Sequence, residues 1–265
     1  MRKSLTTLLV VGGISAVMAD TSVNTGTAGL TSEIKYPWKH SVSVGVTLTR
    51  GNSQTALFTA DFLATKKTLV NEYSLGLAGA YGNNNSTETI NNYKVFGQWN
   101  HLFSERLYSY VRASGLRDVI QNIDYRLNVG PGAGYYFIKD SMTYLAGEAG
   151  VGFEAQRFNS LHVPAGPPPG YTVTPAKEET FATIRLADRF EHKFNDHARF
   201  WQSAEFLPQV DKFDNFVVNF EAGVETSVTK SFTLKTYVID SYQNRPSAGK
   251  LKNDVQIVAA VGYKF

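Results

Sequence analysis

From Trp38 to the end of the chain, apolar residues recur at every second position. Val42, Val44, Val46 and Leu48 fall on one face of an extended segment, and Ser43, Gly45, Thr47 and Thr49 on the other. A period of two marks a strand lying between two different surroundings. The pattern repeats in about twelve segments, near 38–49, 54–66, 70–82, 90–102, 107–119, 124–138, 142–156, 178–193, 198–208, 215–227, 232–242 and 253–265. Soluble strands average about 5–6 residues. A tilted membrane-spanning strand needs roughly 9–11, the length these segments supply.

The connections sort into two classes. Polar stretches such as "GNNNSTET", "QVDKFDN", "QNRPSAGKLK" and the Pro-rich "HVPAGPPPGYTVTPAKEE" follow odd-numbered segments, whereas the short "IKDS", "FNDH" and "TKS" follow even-numbered ones. Short turns on one side and longer loops on the other predict an all-β, antiparallel up-and-down transmembrane β-barrel whose short turns face the periplasm. A soluble sandwich also alternates, so the identity of the two faces decides. Tyr93, Val95 and Trp99 fall opposite Asn92, Lys94, Gln98 and Asn100, and Val218, Phe220, Ala222 and Val224 fall opposite Asn219, Glu221 and Glu225. A charge-bearing inner wall and an apolar band with aromatics toward its ends fit a lipid-facing barrel.

Composition narrows the setting. A mean hydropathy of −0.21 excludes a helical membrane bundle. The apolar run Leu5 to Val17, preceded by Arg2 and Lys3 and followed by Val17 and Ala19 as small cleavage-site residues before Asp20, predicts a secretory signal peptide over residues 1–19. A polar, Thr- and Gly-rich flexible leader over 20–37 and a barrel domain over 38–265 follow. Loss of Arg2 and Lys3 takes the 26 basic residues to 24, against 23 acidic ones, a balance that argues against a nucleic-acid partner. The chain has no cysteine, so an exported protein of this kind is held by packing and backbone hydrogen bonds rather than disulfides. The expected location is the bacterial outer membrane, with its lipid as the surrounding partner.

The chain ends "DVQIVAAVGYKF". Val255, Ile257, Ala259, Val261, Tyr263 and Phe265 share one face, with Asp254, Gln256 and Lys264 on the other. An ordinary amphipathic edge strand would show the same alternation. A terminal Phe265 with Tyr263 two residues earlier resembles the C-terminal sorting signal of bacterial outer-membrane barrels, which implies the barrel-assembly machinery as a partner.

The segment "VTLTRGNSQT" at Val46 to Thr55 resembles the opening motif of the salt-induced outer-membrane protein family, catalogued as domain of unknown function 481. The stretch Asn91 to Phe137, from "NNYKVFGQWN" to "GPGAGYYF", resembles the family centre, and Ile239 to Phe265 its C-terminal hairpin. The insertion "LHVPAGPPPGYTVTPAKEE" is longer than the family pattern. The resemblance implies an outer-membrane barrel with a link to salt or osmotic stress and supplies no catalytic residues.

By alternation, Asp61, Lys94, Arg112, Asp118, Asp124, Arg126, Glu148, Arg185, Glu221, Glu225 and Lys235 form a charge network in the lumen, together with Glu154, Arg189, Glu191 and Glu205. Mixed charges removed from bulk water must be paired or solvated, which reads as bracing of the wall. Charge rings along a polar pathway that small solutes or ions traverse are the alternative. Asp118, Asp124 and Arg126 bracket one outer loop, and a guanidinium between two carboxylates is expected to tie the fifth and sixth segments together or to clamp a ligand.

Catalytic and metal-binding readings find little purchase. Of the five histidines, His40, His101, His192 and His197 map to the periplasmic end and His162 to the Pro-rich loop, so no Ser–His–acid arrangement is visible. Glu148 and Glu154 lie roughly 20 Å apart along one strand, too far for a glycosidase pair. His192, Asp196 and His197 read as a solvated turn, and "GPGAG" at Gly130 to Gly134, with no helix after it, as glycines where a strand bends rather than a phosphate loop. The sequence therefore predicts a non-enzymatic barrel, a structural component of the envelope or a narrow pore, without cofactor or metal. The alternatives are an outer-membrane hydrolase acting on lipid or peptide, and a binding barrel whose loop 162–176 contacts a partner or surface glycan.

Overall fold

A computed structural model describes residues 36–49, 55–164, 171–247 and 250–265. The predicted signal peptide, leader residues 20–35, residues 50–54 of the opening motif and residues 165–170 of the Pro-rich loop lie outside these described residues.

The described residues form fourteen strands: β1 (Lys39–Thr49), β2 (Thr55–Lys67), β3 (Asn71–Asn84), β4 (Thr87–Leu102), β5 (Leu107–Asp118), β6 (Ile123–Lys139), β7 (Thr143–Phe158), β8 (Leu161–Pro164), β9 (Tyr171–Thr174), β10 (Lys177–Lys193), β11 (Ala198–Gln209), β12 (Lys212–Ser227), β13 (Phe232–Gln243) and β14 (Asn253–Lys264). Twelve of them close into a barrel in the order β1-β14-β13-β12-β11-β10-β7-β6-β5-β4-β3-β2, every neighbouring pair antiparallel. The other two, β8 and β9, pair as a hairpin within the connection from β7 to β10, so part of the Pro-rich insertion is itself sheet.

Closure is made by the first and last strands. Val44 pairs with Val261, and at the rim the amide of Phe265 donates to the carbonyl of His40 at 3.0 Å while that of His40 donates to Phe265 at 2.9 Å. With β14 paired on both sides no sheet edge is left in the barrel, the condition a sheet must meet to span a bilayer.

Two expected loops are strand instead. Within "GNNNSTET", β3 runs on to Asn84 and β4 starts at Thr87, leaving a two-residue turn of Asn85 (φ 49°) and Ser86 (φ 65°). Positive φ at both central residues is the type I′ hairpin geometry, which matches the twist of paired strands. Within "QVDKFDN", β11 ends at Gln209 and β12 begins at Lys212.

The two faces differ as alternation predicts. Phe153, Ile257 and Val151 point outward with 67%, 64% and 61% of their surface exposed, while inward-facing Glu225, Asp118 and Gln256 retain 2%, 1% and 0%. Such an inversion is untenable in water and is the rule for a barrel in lipid. Trp38, Trp99, Phe103, Phe194, Phe232, Tyr263 and Phe265 are exposed near the end where both chain termini of the barrel lie, as an interfacial aromatic girdle does. An even-numbered up-and-down barrel with these faces is a bacterial outer-membrane barrel.

Candidate functional site

The lumen holds the concentrated chemistry, and it differs between its two halves. Near the periplasmic end it is filled. The tyrosines Tyr108 and Tyr136 pack with ring centroids 4.7 Å apart. The Tyr136 hydroxyl donates to Glu72 at 2.5 Å, Asn100 donates to the same carboxylate at 3.2 Å, and Lys67 lies 3.6 Å from it. Room for these rings comes from β6: a Cβ at Gly134 would collide with the Tyr108 ring, and one at Gly132 with the Tyr110 hydroxyl. The glycines of "GPGAG" thus let tyrosines lie flat on the wall, beyond any relief at a bend.

Above this layer Arg185, on β10, bridges Glu148 of β7 at 2.6 Å and Glu205 of β11 at 2.5 Å, and donates to the Tyr110 hydroxyl at 3.0 Å. Glu148 also accepts from Tyr108 at 2.8 Å and from Gln98 at 2.9 Å, and Gln98 in turn accepts from Arg112 at 3.2 Å. Asn219 extends the belt to β12 by donating to Glu205 at 3.3 Å. Each charge-assisted bond here is stronger than a neutral one, and shared partners satisfy what each ion would otherwise lose on leaving water.

A second network spans the closing seam. Arg199 is held by Glu191 at 2.9 Å and, through two nitrogens at 3.1 Å each, by Glu225. Glu225 also receives Lys264 of β14 and lies 3.9 Å from Lys235, which donates to Ser43 of β1 at 2.6 Å and sits 3.9 Å from Asp61 of β2. Charges from β10 through β14 to β1 and β2 are thereby connected across the junction of the first and last strands. Glu221 accepts from the indole of Trp201 at 2.8 Å.

The outer half is arranged differently from the expected Asp118–Arg126–Asp124 clamp. Arg126 pairs with Glu154 at 3.3 Å and donates to Gln156 at 3.0 Å; with its amide oxygen turned inward, Gln243 also accepts from it at 2.6 Å. Asp124 sits at a register shift between Ile123 and Tyr125 and lies against Arg157 at 3.8 Å, away from Arg126. The bulge reverses which neighbour faces inward, and Ile123, 1% exposed, takes the inward place. Asp118 accepts the backbone N–H of Gln121 at 2.8 Å, and the loop 119–122 folds into the lumen, where Gln121 reaches Asp254 on the far wall.

Beneath that loop lies a chamber of about 220 Å³, lined among others by Lys94, Arg112, Arg126, Glu205, Glu221 and Asp254. It shares Arg126, Glu154, Leu207, Val217 and Gln243 with an outer vestibule of about 320 Å³. On the periplasmic side, the cavity between Lys67, Glu72, Gln98, Asn100 and Arg189 holds about 10 Å³. Lys94, Arg112 and Arg189 also line the chamber, Lys94 in the field of Asp118, Glu205 and Glu221 and Arg112 in that of Glu205 and Glu148; Arg112 lies over the Phe96 ring at 4.5 Å.

Arg199, Glu72, Lys67, Tyr108 and Tyr136 were not among the expected lumen residues, although strand parity with Trp201, Ser74 and Tyr110 marks most of them. Gln121 carries no periodic signal at all. Among the described histidines, His101 contacts Asn71 at 3.1 Å and His192 contacts Thr143 at 3.0 Å.

Residues 42–265 match the family model described as protein of unknown function, DUF481. No curated protein matches the chain. Among solved structures, the translocator domain of the autotransporter NalP from Neisseria meningitidis is similar at 11% identity and a TM-score of 0.49, covering 86% of each chain. The NanC porin is similar at 9% identity and 0.49, covering 86% of this chain and 98% of that one. The KdgM porin gives 9% and 0.45 over 85% and 99%.

Proposed function

We propose, for a chain that belongs to the family described as protein of unknown function, DUF481, a non-enzymatic role as a narrow outer-membrane pore shut at its periplasmic end in the resting state. The observation that carries this reading is the asymmetry of the lumen: a polar chamber of about 220 Å³ continues into an outer vestibule of about 320 Å³, while the cavity beneath them, beside the tyrosine layer, holds about 10 Å³. A barrel serving only as an envelope brace has no use for a polar chamber that continues into an outer vestibule.

The traffic would be small polar solutes and ions. Lys94 and Arg112, without a direct ion pair, face Asp118, Glu221 and Asp254 across the chamber, a wall of both signs along which charged solutes would pass. His101 contacts Asn71 and His192 contacts Thr143, neither ring being set against a serine, an arrangement that fits a role without nucleophilic catalysis. Tyr263 and Phe265, outward-facing at the end of the sheet, are the residues proposed for recognition by the barrel-assembly machinery. The salt- or osmotic-stress role implied by the family resemblance fits a pore whose rim pairs, such as the exposed Lys177–Glu179 at 2.6 Å, weaken as ionic strength rises.

Single-channel recording of the refolded protein from Asp20 to Phe265 in a planar bilayer tests the reading. The wild type should give brief, small openings, and Tyr108→Ala combined with Tyr136→Ala, which empties the periplasmic plug, should give steady larger ones. Silence from both, with heat-modifiable gel mobility confirming folded barrels, would leave the bracing role instead.

A further inference from the structure

The outer surface carries a second feature that the pore does not use. Asp188 lies on β10 between Ala187 and Arg189; with Arg185, Ala187 and Arg189 on the lumen face, parity turns Asp188 outward, into a surface groove with Leu107, Tyr135, Phe137 and the 47%-exposed Leu186. The strand alternates without a break through this stretch. On the adjacent β11, Gln202 lies between Trp201 and Ser203 and also points outward; Asp188 pairs with Ala204, and Gln202 with Phe190, which makes the two polar residues diagonal neighbours. The other outward-facing charges of the described strands, including Lys66, Arg117, Arg157 and Asp240, lie within three residues of a strand end, whereas Asp188 is five residues from Lys193 and eleven from Lys177. Asp188 therefore stands in the apolar band, inside the belt that Phe190 and Phe194 mark.

Neither side chain has a hydrogen-bond or ion-pair partner among the described residues. An unpaired carboxylate and an unpaired carboxamide facing lipid tails are both unfavourable, since hydrocarbon offers neither a donor nor an acceptor. Ionisable residues persist at such depth where a partner meets them.

We infer that this face, centred on Asp188 and Gln202, is the contact between two copies of the chain within the membrane. A carboxylate accepts and a carboxamide donates, so a twofold axis between them sets Asp188 of one copy against Gln202 of the other, and the reverse pairing follows by symmetry. The pair is complementary to itself, which a cationic foreign partner would not require. Ala149, Ala204 and Ala222, outward-facing around it, leave room for the two walls to approach.

The absence of cysteine from the chain provides a direct test. Ala204→Cys places a thiol beside the proposed axis, and Ala60→Cys places one on the lipid face of β2, on the other side of the barrel. In outer membranes containing the full chain, mild oxidation should yield a disulfide-linked dimer from Ala204→Cys and little from Ala60→Cys. Adding Asp188→Leu or Gln202→Leu should abolish the dimer band while heat-modifiable mobility shows an intact barrel; adding Asp188→Asn should keep it. Equal cross-linking at both positions, none at Ala204→Cys in folded protein, a dimer that survives both leucine variants, or a product with the mass of a different protein would each overturn the proposal.

Discussion

The side-chain amide of Gln121, in the loop between β5 and β6, donates to the carboxylate of Asp254 on β14, on the opposite side of the barrel. The loop is held there from both sides, since Asp118 accepts its backbone N–H at 2.8 Å and Ser247 donates to the Gln121 carbonyl at 2.7 Å. The contact roofs the chamber. Gln121→Ala and Asp254→Ala should release the loop and admit larger solutes, whereas Asp254→Asn retains an acceptor and should behave as the wild type. Exclusion of graded polyethylene glycols from the current reads the opening; identical cut-offs in all four proteins would refute a latch.

Arg185 serves two carboxylates at once, so its removal strands both. Arg185→Ala should cost about 3–5 kcal/mol, the scale of an uncompensated buried charge. Adding Glu148→Gln and Glu205→Gln should return most of that loss, because neutral amides leave no charge to pair. Guanidinium unfolding followed by tryptophan fluorescence in detergent measures it. A triple variant as weak as Arg185→Ala would mean that packing, not charge, holds this layer.

Phe265 does more than end the sheet: its ring stacks on His40 with centroids 5.4 Å apart, and its backbone closes the rim with the same residue. Phe265→Ala should therefore lower the amount of assembled barrel in the outer membrane, and Phe265→Trp, which keeps an aromatic ring, should preserve it. Purified Phe265→Ala should still refold in detergent. A refolding failure there would place the defect in the rim contact rather than in recognition by the assembly machinery.

The β6–β7 turn, outside the membrane span, is pinned by Asp140, which accepts the backbone N–H groups of Met142 at 2.8 Å and Thr143 at 2.5 Å. Those bonds hold its carboxyl below the ordinary 3.8. A depressed folded value contributes stability above the unfolded value and loses it as pH falls through the folded one. Asn195 makes the same two bonds in the β10–β11 turn without a titrating group. Asp140→Asn should accordingly flatten the acid dependence of unfolding, and parallel curves for the two proteins would refute the assignment.

Alternation exposed the barrel because water-side and lipid-side residues differ in kind across each strand. The same logic fails where both faces meet water, which is why β3 and β4 extend through "GNNNSTET" unseen: beyond the bilayer no apolar face is needed, and the strand loses its signature. Parity holds only along an unbroken count, and one bulge shifts that count at Asp124. The partners within the lumen were not legible. Whether Arg126 meets Glu154 or Asp124 depends on register and on the stagger between strands, which the period of two leaves open.

The cations that line the chamber without a direct ion pair are the part of the site most open to measurement. Lys94 and Arg112 line the chamber without a direct ion pair, on a surface that also carries Asp118, Glu221 and Asp254, while Glu148, Glu154 and Glu205 there are each engaged by an arginine. Fixed, unpaired cations in a narrow polar passage attract anions and repel cations more strongly than paired ones do. Lys94→Gln and Arg112→Gln should each shift the reversal potential under a salt gradient toward cation selectivity, and together further than either alone. Arg126→Gln removes a cation already compensated by Glu154, so it should shift selectivity in the same direction by freeing that carboxylate, and Arg126→Gln with Glu154→Gln should restore the wild-type value. Reversal potentials insensitive to Lys94 and Arg112 would mean that ions pass elsewhere, and would move the conduction path to the vestibule side of the Gln121 loop.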